Sequence, residues 1–153
     1  MNMKNPQRNS EQELERAYCK VCGAVYFGRA WRWNKAKRDN FEKNKMPQVL
    51  CSACYKIRND LPEGILSLIG VKDKSKRAEM LEDIQEIVLS TQERDPLQRI
   101  IRVNEKSDET VVYTTEASLA KKIGRHLSRT YTGSLSVDDT SQNLARVVWI
   151  SKE

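Results

Sequence analysis

Cys19-Lys20-Val21-Cys22-Gly23 and Leu50-Cys51-Ser52-Ala53-Cys54-Tyr55 carry all four cysteines of the sequence, as two Cys-x-x-Cys pairs separated by 28 residues. Two-residue spacing lets both thiolates of a pair face one metal while backbone N–H groups of the turn hydrogen-bond the sulfurs. Two such pairs close a tetrahedron, the arrangement of a structural site. The spacing predicts one structural zinc ion held by Cys19, Cys22, Cys51 and Cys54 in a zinc ribbon; iron fits the same four-sulfur cage. Gly23 stands where a knuckle turn takes a positive φ, and Tyr55 holds the equivalent place in the second pair. Four thiolates leave no position for water, which argues against catalysis at the metal. Two pairs outside any βαβ context argue against a redox dithiol. Without metal, a loop-rich unit of about 50 residues would have almost no core, and units so small need a staple.

Between the pairs lies the most basic stretch of the chain. Residues 28–46 (GRAWRWNKAKRDNFEKNKM) hold seven basic and two acidic residues, +5 of the chain's net +6. Arg29, Trp31, Arg32 and Trp33 alternate cations with indoles, and Lys35, Lys37 and Arg38 follow. Stacking of the rings on bases, with the cations on phosphates, would use both residue types, so this loop is a candidate RNA contact. Packing of Trp31 and Trp33 against the protein itself is the alternative. Residues 29–47 lack a regular period and read as a long loop.

Working outward, residues 1–16 are polar and read as a flexible tail with a short helix near Glu11–Arg16. Residues 17–70 form the zinc-ribbon domain, closed by the apolar strand Gly64–Gly70, and Val71–Ser75 is a linker. Residues 76–152 form a second, α+β domain. Met80, Leu81, Ile84, Ile87 and Val88 share one helical face between Lys76 and Arg94, and Asp95-Pro96 ends that helix. Leu97–Glu105 and Thr110–Thr114 read as a hairpin turning at 106–109. Thr115 caps a helix to about Thr130 with Leu119, Ala120, Ile123 and Leu127 inward, stopped by Gly133. Ser134–Val137 and Ala145–Ile150 make a second hairpin. The expected fold is thus α+β: a four-cysteine zinc ribbon followed by an αββαββ domain with a four-stranded antiparallel sheet. Its expected core is Ile84, Ile87, Leu119, Ile123, Leu127, Val147 and Trp149.

On the second of these helices Lys121, Lys122, Arg125 and Arg129 lie opposite the apolar stripe, a further candidate RNA contact or a solvated face. His126, the single histidine, is expected at the surface or half-buried rather than as a ligand. Among 153 residues there is no P-loop, dinucleotide fingerprint, nucleophile elbow or H-E-x-x-H, and the acidic residues form no pair, so no enzyme is expected. The first residues lack an apolar signal region and no apolar run spans a bilayer. A cytoplasmic protein without membrane partner or small-molecule substrate, monomeric when free, is the expectation; in that compartment paired cysteines bind metal.

Leu50–Ile65 (LCSACYKIRNDLPEGI) resembles the second zinc knuckle of the nonsense-mediated-decay-three family, the zinc-binding large-subunit export adaptors of eukaryotes and their archaeal relatives. Thr114–Tyr131 (TTEASLAKKIGRHLSRTY), followed by Gly133 and a hairpin, resembles the α+β segment after that module. Short bacterial proteins of the same plan are more similar still, with a tryptophan-containing loop between knuckles and a segment like Pro96-Leu97-Gln98-Arg99-Ile100. The resemblance covers residues 17–150. It implies binding to the ribosome and its large-subunit rRNA, because the larger relatives sit on the intersubunit face and occupy tRNA sites. One four-cysteine site stands where those relatives carry more zinc ligands, and nuclear export is not carried over.

The leading expectation is therefore a ribosome-associated, rRNA-binding zinc-ribbon protein occupying tRNA or intersubunit sites, a hibernation or stress factor. A ribosome assembly factor and a zinc-ribbon adaptor for protein contacts or transcription are the alternatives. A sucrose gradient at low and high salt separates ribosome binding from an adaptor role.

Overall fold

The computed structural model describes residues 16–33, 46–141 and 143–153. The expected tail, apart from Arg16, and Lys35, Lys37 and Arg38 lie outside the described residues.

The first unit is a small sheet and one helix built around the cysteines. Its strands are β1 (Ala17–Cys19), β2 (Val25–Phe27), β3 (Ala30–Arg32) and β4 (Gln48–Val49), followed by α1 (Ser52–Asn59). The sheet order is β3-β2-β1-β4, with β4 parallel to β1 and the other pairs antiparallel. Gly28 and Arg29, at φ 58° and 65°, join β2 to β3. Two successive positive φ values are those of a type I′ turn, whose twist suits a two-residue hairpin. The expected long loop is therefore partly strand; three residues per strand are too few for alternation to show in the sequence. Ala17, Cys19, Ala24, Tyr26, Trp31, Leu50, Cys51, Ala53 and Cys54 form one buried cluster, so the cysteines are themselves the core.

The second unit contains β5 (Gly64–Ile69), α2 (Lys74–Arg94), β6 (Ile100–Glu105), β7 (Glu109–Thr114), α3 (Ala117–Thr130), β8 (Gly133–Ser141) and β9 (Leu144–Ser151). Its sheet runs β6-β7-β5-β9-β8, with β5 antiparallel to β7 and parallel to β9. Two expectations are corrected here. The Gly64–Ile69 strand does not close the first unit but is the centre of the second sheet, so the boundary falls before Gly64 rather than after Gly70. The sheet is five-stranded and mixed rather than four-stranded and antiparallel. A mostly apolar run of five residues between glycines announces a strand but not its neighbours, and the parallel partner lies far along the chain.

Leu66, Leu68, Met80, Ile84, Val88, Val112, Leu119, Ala120, Ile123, Leu127, Val147 and Trp149 make the second core, with Ile87 half-buried against it. All seven expected core residues therefore lie in or against this cluster. Gly133 opens β8 instead of stopping α3: a Cβ there would stand 2.4 Å from the Trp149 indole, so the glycine makes room for the ring. Thr115 is not the cap of α3, which begins after Glu116 without a side-chain cap bond. The Thr115 hydroxyl is buried and turned to the segment leading into β6, where it donates to the Leu97 carbonyl at 2.6 Å and accepts from the Arg99 N–H at 2.9 Å.

Candidate metal centre and basic surface

The two cysteine pairs are presented by different local structures. Cys19 ends β1, and the chain turns back through Gly23 at φ 80°, whose N–H donates to the Cys19 carbonyl at 2.9 Å. The expected positive φ is met there. The second pair lies at a helix start: Cys51 is the N-cap of α1, and its sulfur accepts from the Cys54 N–H at 3.4 Å. Cys54 is thus helical and Tyr55 needs no positive φ, which is why a bulky residue follows this pair. A helix N-terminus also favours thiolate over thiol. α1 went unforeseen because an eight-residue helix whose inner face is Ser52, Ala53 and Cys54 has no apolar stripe.

The four sulfurs lie within 4.8 Å of one another, and those of Cys22 and Cys51 are 3.8 Å apart. Tetrahedral bonds of about 2.3 Å place sulfurs roughly 3.8 Å from each other. All four cysteines are free, and three are buried while Cys22 is half-buried. Crowded thiols compete for protons: hydrogen bonding from Cys22 and its neighbours drives Cys19 down, and the bond to Cys19 drives Cys51 up. A divalent cation relieves that conflict by accepting all four as thiolates. The donor set and its spacing fit one metal ion.

Arg99 completes the centre from the second unit. Its Nη2 donates to Cys22 Sγ at 3.0 Å and Cys51 Sγ at 3.5 Å, and its Nη1 donates to Cys54 Sγ at 3.2 Å. Burial works against its charge, but the attraction of Cys22 and Cys51 outweighs this and raises its pKa. Nothing in a sequence pattern singles out this arginine; only its place in the Pro96–Ile100 segment of the resemblance marked it. Leu97 joins the cysteine cluster from the same segment. Lys56 of α1 returns the contact, reaching the Thr115 carbonyl at 3.1 Å, Glu116 at 3.2 Å and Glu63 at 3.1 Å.

The expected RNA-binding residues divide. Trp31 is 4% exposed and tilts against Tyr26 at 5.5 Å between centroids, so its ring serves the core and is not presented to a base. Trp33 is half-buried and donates through Nε1 to the Gln92 carbonyl at 2.6 Å, near the end of α2. The packing alternative describes both rings. Arg29 and Arg32 are exposed, with Arg32 over the Phe27 ring at 5.0 Å. On α3, Lys121 pairs with Asp139 at 2.8 Å, Lys122 donates to Thr91 Oγ1 at 2.8 Å, and Arg125 and Arg129 are exposed. His126 is half-buried beside Thr130 and is not part of the four-cysteine group.

Among the described residues, fold and site together define a mixed α/β arrangement of three helices and two sheets, with four cysteines clustered so that they could hold one metal ion. Among the described residues no helix is long and apolar enough to cross a membrane. Comparison with family models, characterised proteins and solved structures finds no match for the chain.

Proposed function

We propose that this chain is a zinc-binding, non-enzymatic protein that binds ribosomal RNA, docking at the tRNA or intersubunit sites of the large subunit as a hibernation or stress factor. The observation that carries this reading is the meeting of its two basic elements at the end of α2. Trp33, where the 28–46 segment leaves β3, is tied to Gln92, and Lys122 of α3 is tied to the adjacent Thr91. Arg94 closes the same helix. Arg29, Arg32, Lys122, Arg125 and Arg129 then act together with the charges of residues 34–45 on one polyanion. Zinc supplies the rigidity at the root of that segment. The resemblance to large-subunit adaptors supplies the ribosome as the polyanion.

Co-sedimentation of purified protein with large subunits, across a salt series, tests this. Binding should fall steeply with salt, and Arg125→Ala with Arg129→Ala should flatten the salt slope by about 1–2, as lost phosphate contacts do. Replacing Lys35, Lys37 and Arg38 by alanine should act in the same direction. Binding that ignores salt, or both sets of substitutions, would transfer the protein to the adaptor reading.

A further inference from the structure

We infer that Arg99 is a latch through which occupancy of the metal centre fixes the attachment of the second unit to the first. This rests on the reading of the four-cysteine cluster as a metal site. Four thiolates around a divalent ion leave about two negative charges in excess. The guanidinium touches three of the four sulfurs, and it comes from the segment leading into β6, not from the unit that supplies the ligands.

The rest of Arg99 helps to hold that segment in place. Its Nε donates to the Pro96 carbonyl at 2.8 Å, which folds the side chain back over its own turn. Its backbone N–H donates to Thr115 Oγ1 at 2.9 Å, and its carbonyl accepts the Thr115 N–H at 2.9 Å, which joins it to the start of α3. The Trp33 ring lies 5.9 Å from its guanidinium carbon, and that indole in turn holds Gln92. One residue thus links, by side chain and main chain together, the sulfurs, the approach to β6, the start of α3 and, through Trp33, the end of α2.

Charge makes the link conditional. With metal bound the sulfurs are thiolates, and bonds to charged acceptors are about twice as strong as bonds to neutral ones. With metal lost, the three sulfurs are no longer pinned where they meet the guanidinium fork, and the second unit loses its fixed anchor on the first. Metal therefore strengthens the attachment. By linkage the attachment strengthens metal binding to the same degree. Partners of this kind outside the ligand set are worth about 10–100-fold in metal affinity.

Two measurements on the full-length protein test the latch. The first is the rate of zinc transfer to a chromophoric chelator, compared for parent, Arg99→Lys and Arg99→Ala. The alanine variant should release zinc 10–100-fold faster, and lysine should fall between, because it keeps the charge but loses the fork. The second is amide hydrogen exchange of the unmodified chain with and without zinc. Removal should speed exchange at Thr115 and Arg99 while Leu66 and Val112 in the centre of the sheet stay protected. Zinc release from Arg99→Ala at the parent's rate, or exchange at Thr115 and Arg99 indifferent to zinc, overturns the latch and leaves the metal reading standing. A parent chain that takes up no zinc overturns both.

Discussion

The indole Nε1 of Trp33 donates to the main-chain carbonyl of Gln92 at 2.6 Å, joining the metal-binding unit to the last turn of α2. Two positions upstream, Trp31 is sealed in the cysteine-lined core. One alternating pair of tryptophans therefore does two jobs, and alanine at each should report them separately. Trp31→Ala removes a buried ring and should cost about 3–5 kcal/mol, read as loss of the first unit's cooperative melting. Trp33→Ala should cost less and show instead as faster hydrogen exchange around Gln92. Equal losses for the two would refute this division.

Metal content offers a direct count. Purified chain should carry one zinc per molecule, measured by elemental analysis without chelators, and a value well under half would refute the centre. Chelation, or Cys51→Ser, should strip exchange protection from β1–β4 while the sheet around β5 keeps its own, because the second core contains no cysteine. A single joint loss of protection in both units would show that the two cores do not stand independently.

Arg29 holds φ 65° in a turn position where glycine is at ease. A residue with a Cβ there carries about 1–2 kcal/mol of strain. Arg29→Gly should relieve part of it and raise the melting midpoint, yet, on the proposed function, weaken ribosome binding by removing a cation from the tip of the β2–β3 hairpin. Strain retained against stability is the pattern of a residue kept for contact. A variant that is both more stable and equally well bound would show that Arg29 has no part in binding.

Gly133→Ala should destabilise the second unit by about 1–3 kcal/mol, the cost of overpacking. The added methyl meets the Trp149 ring at 2.4 Å and the Ile150 carbonyl at 2.6 Å, and neither a rigid ring nor a main chain yields easily. Denaturant titration followed by the Trp149 environment gives the figure; no change would mean that β8 shifts freely.

What could be read from the chain divides along the range of the interactions involved. The ligand set was legible because Cys-x-x-Cys is a local geometric requirement. So were α2 and α3, since Met80, Ile84 and Val88, and Leu119, Ile123 and Leu127, repeat at the helical period. The place of Gly64–Ile69 was not, because what decides it is pairing with Thr114 on one side and Ala145 on the other. Arg99 was hidden for the same reason: a cation becomes part of a metal centre through contacts with Cys22, Cys51 and Cys54 that only the folded chain brings about. Trp31 and Trp33 show the converse, where composition suggested exposure: Trp31 found room in the first unit's own core, and Trp33 against the end of α2 in the second.

The central position of β5 also orders events in time. Leu66 pairs with Val112 on one side and with Val147 on the other, the latter contact spanning roughly eighty residues. Closing so long a loop is slow, whereas the turns that gather Cys19 with Cys22 and Cys51 with Cys54 are short. On a chain emerging from synthesis the cysteine cluster can gather soon after α1 is complete, while β5 waits with an open edge for the last strand. That interval, when an apolar strand is made but not yet flanked, is when the protein is most exposed to self-association.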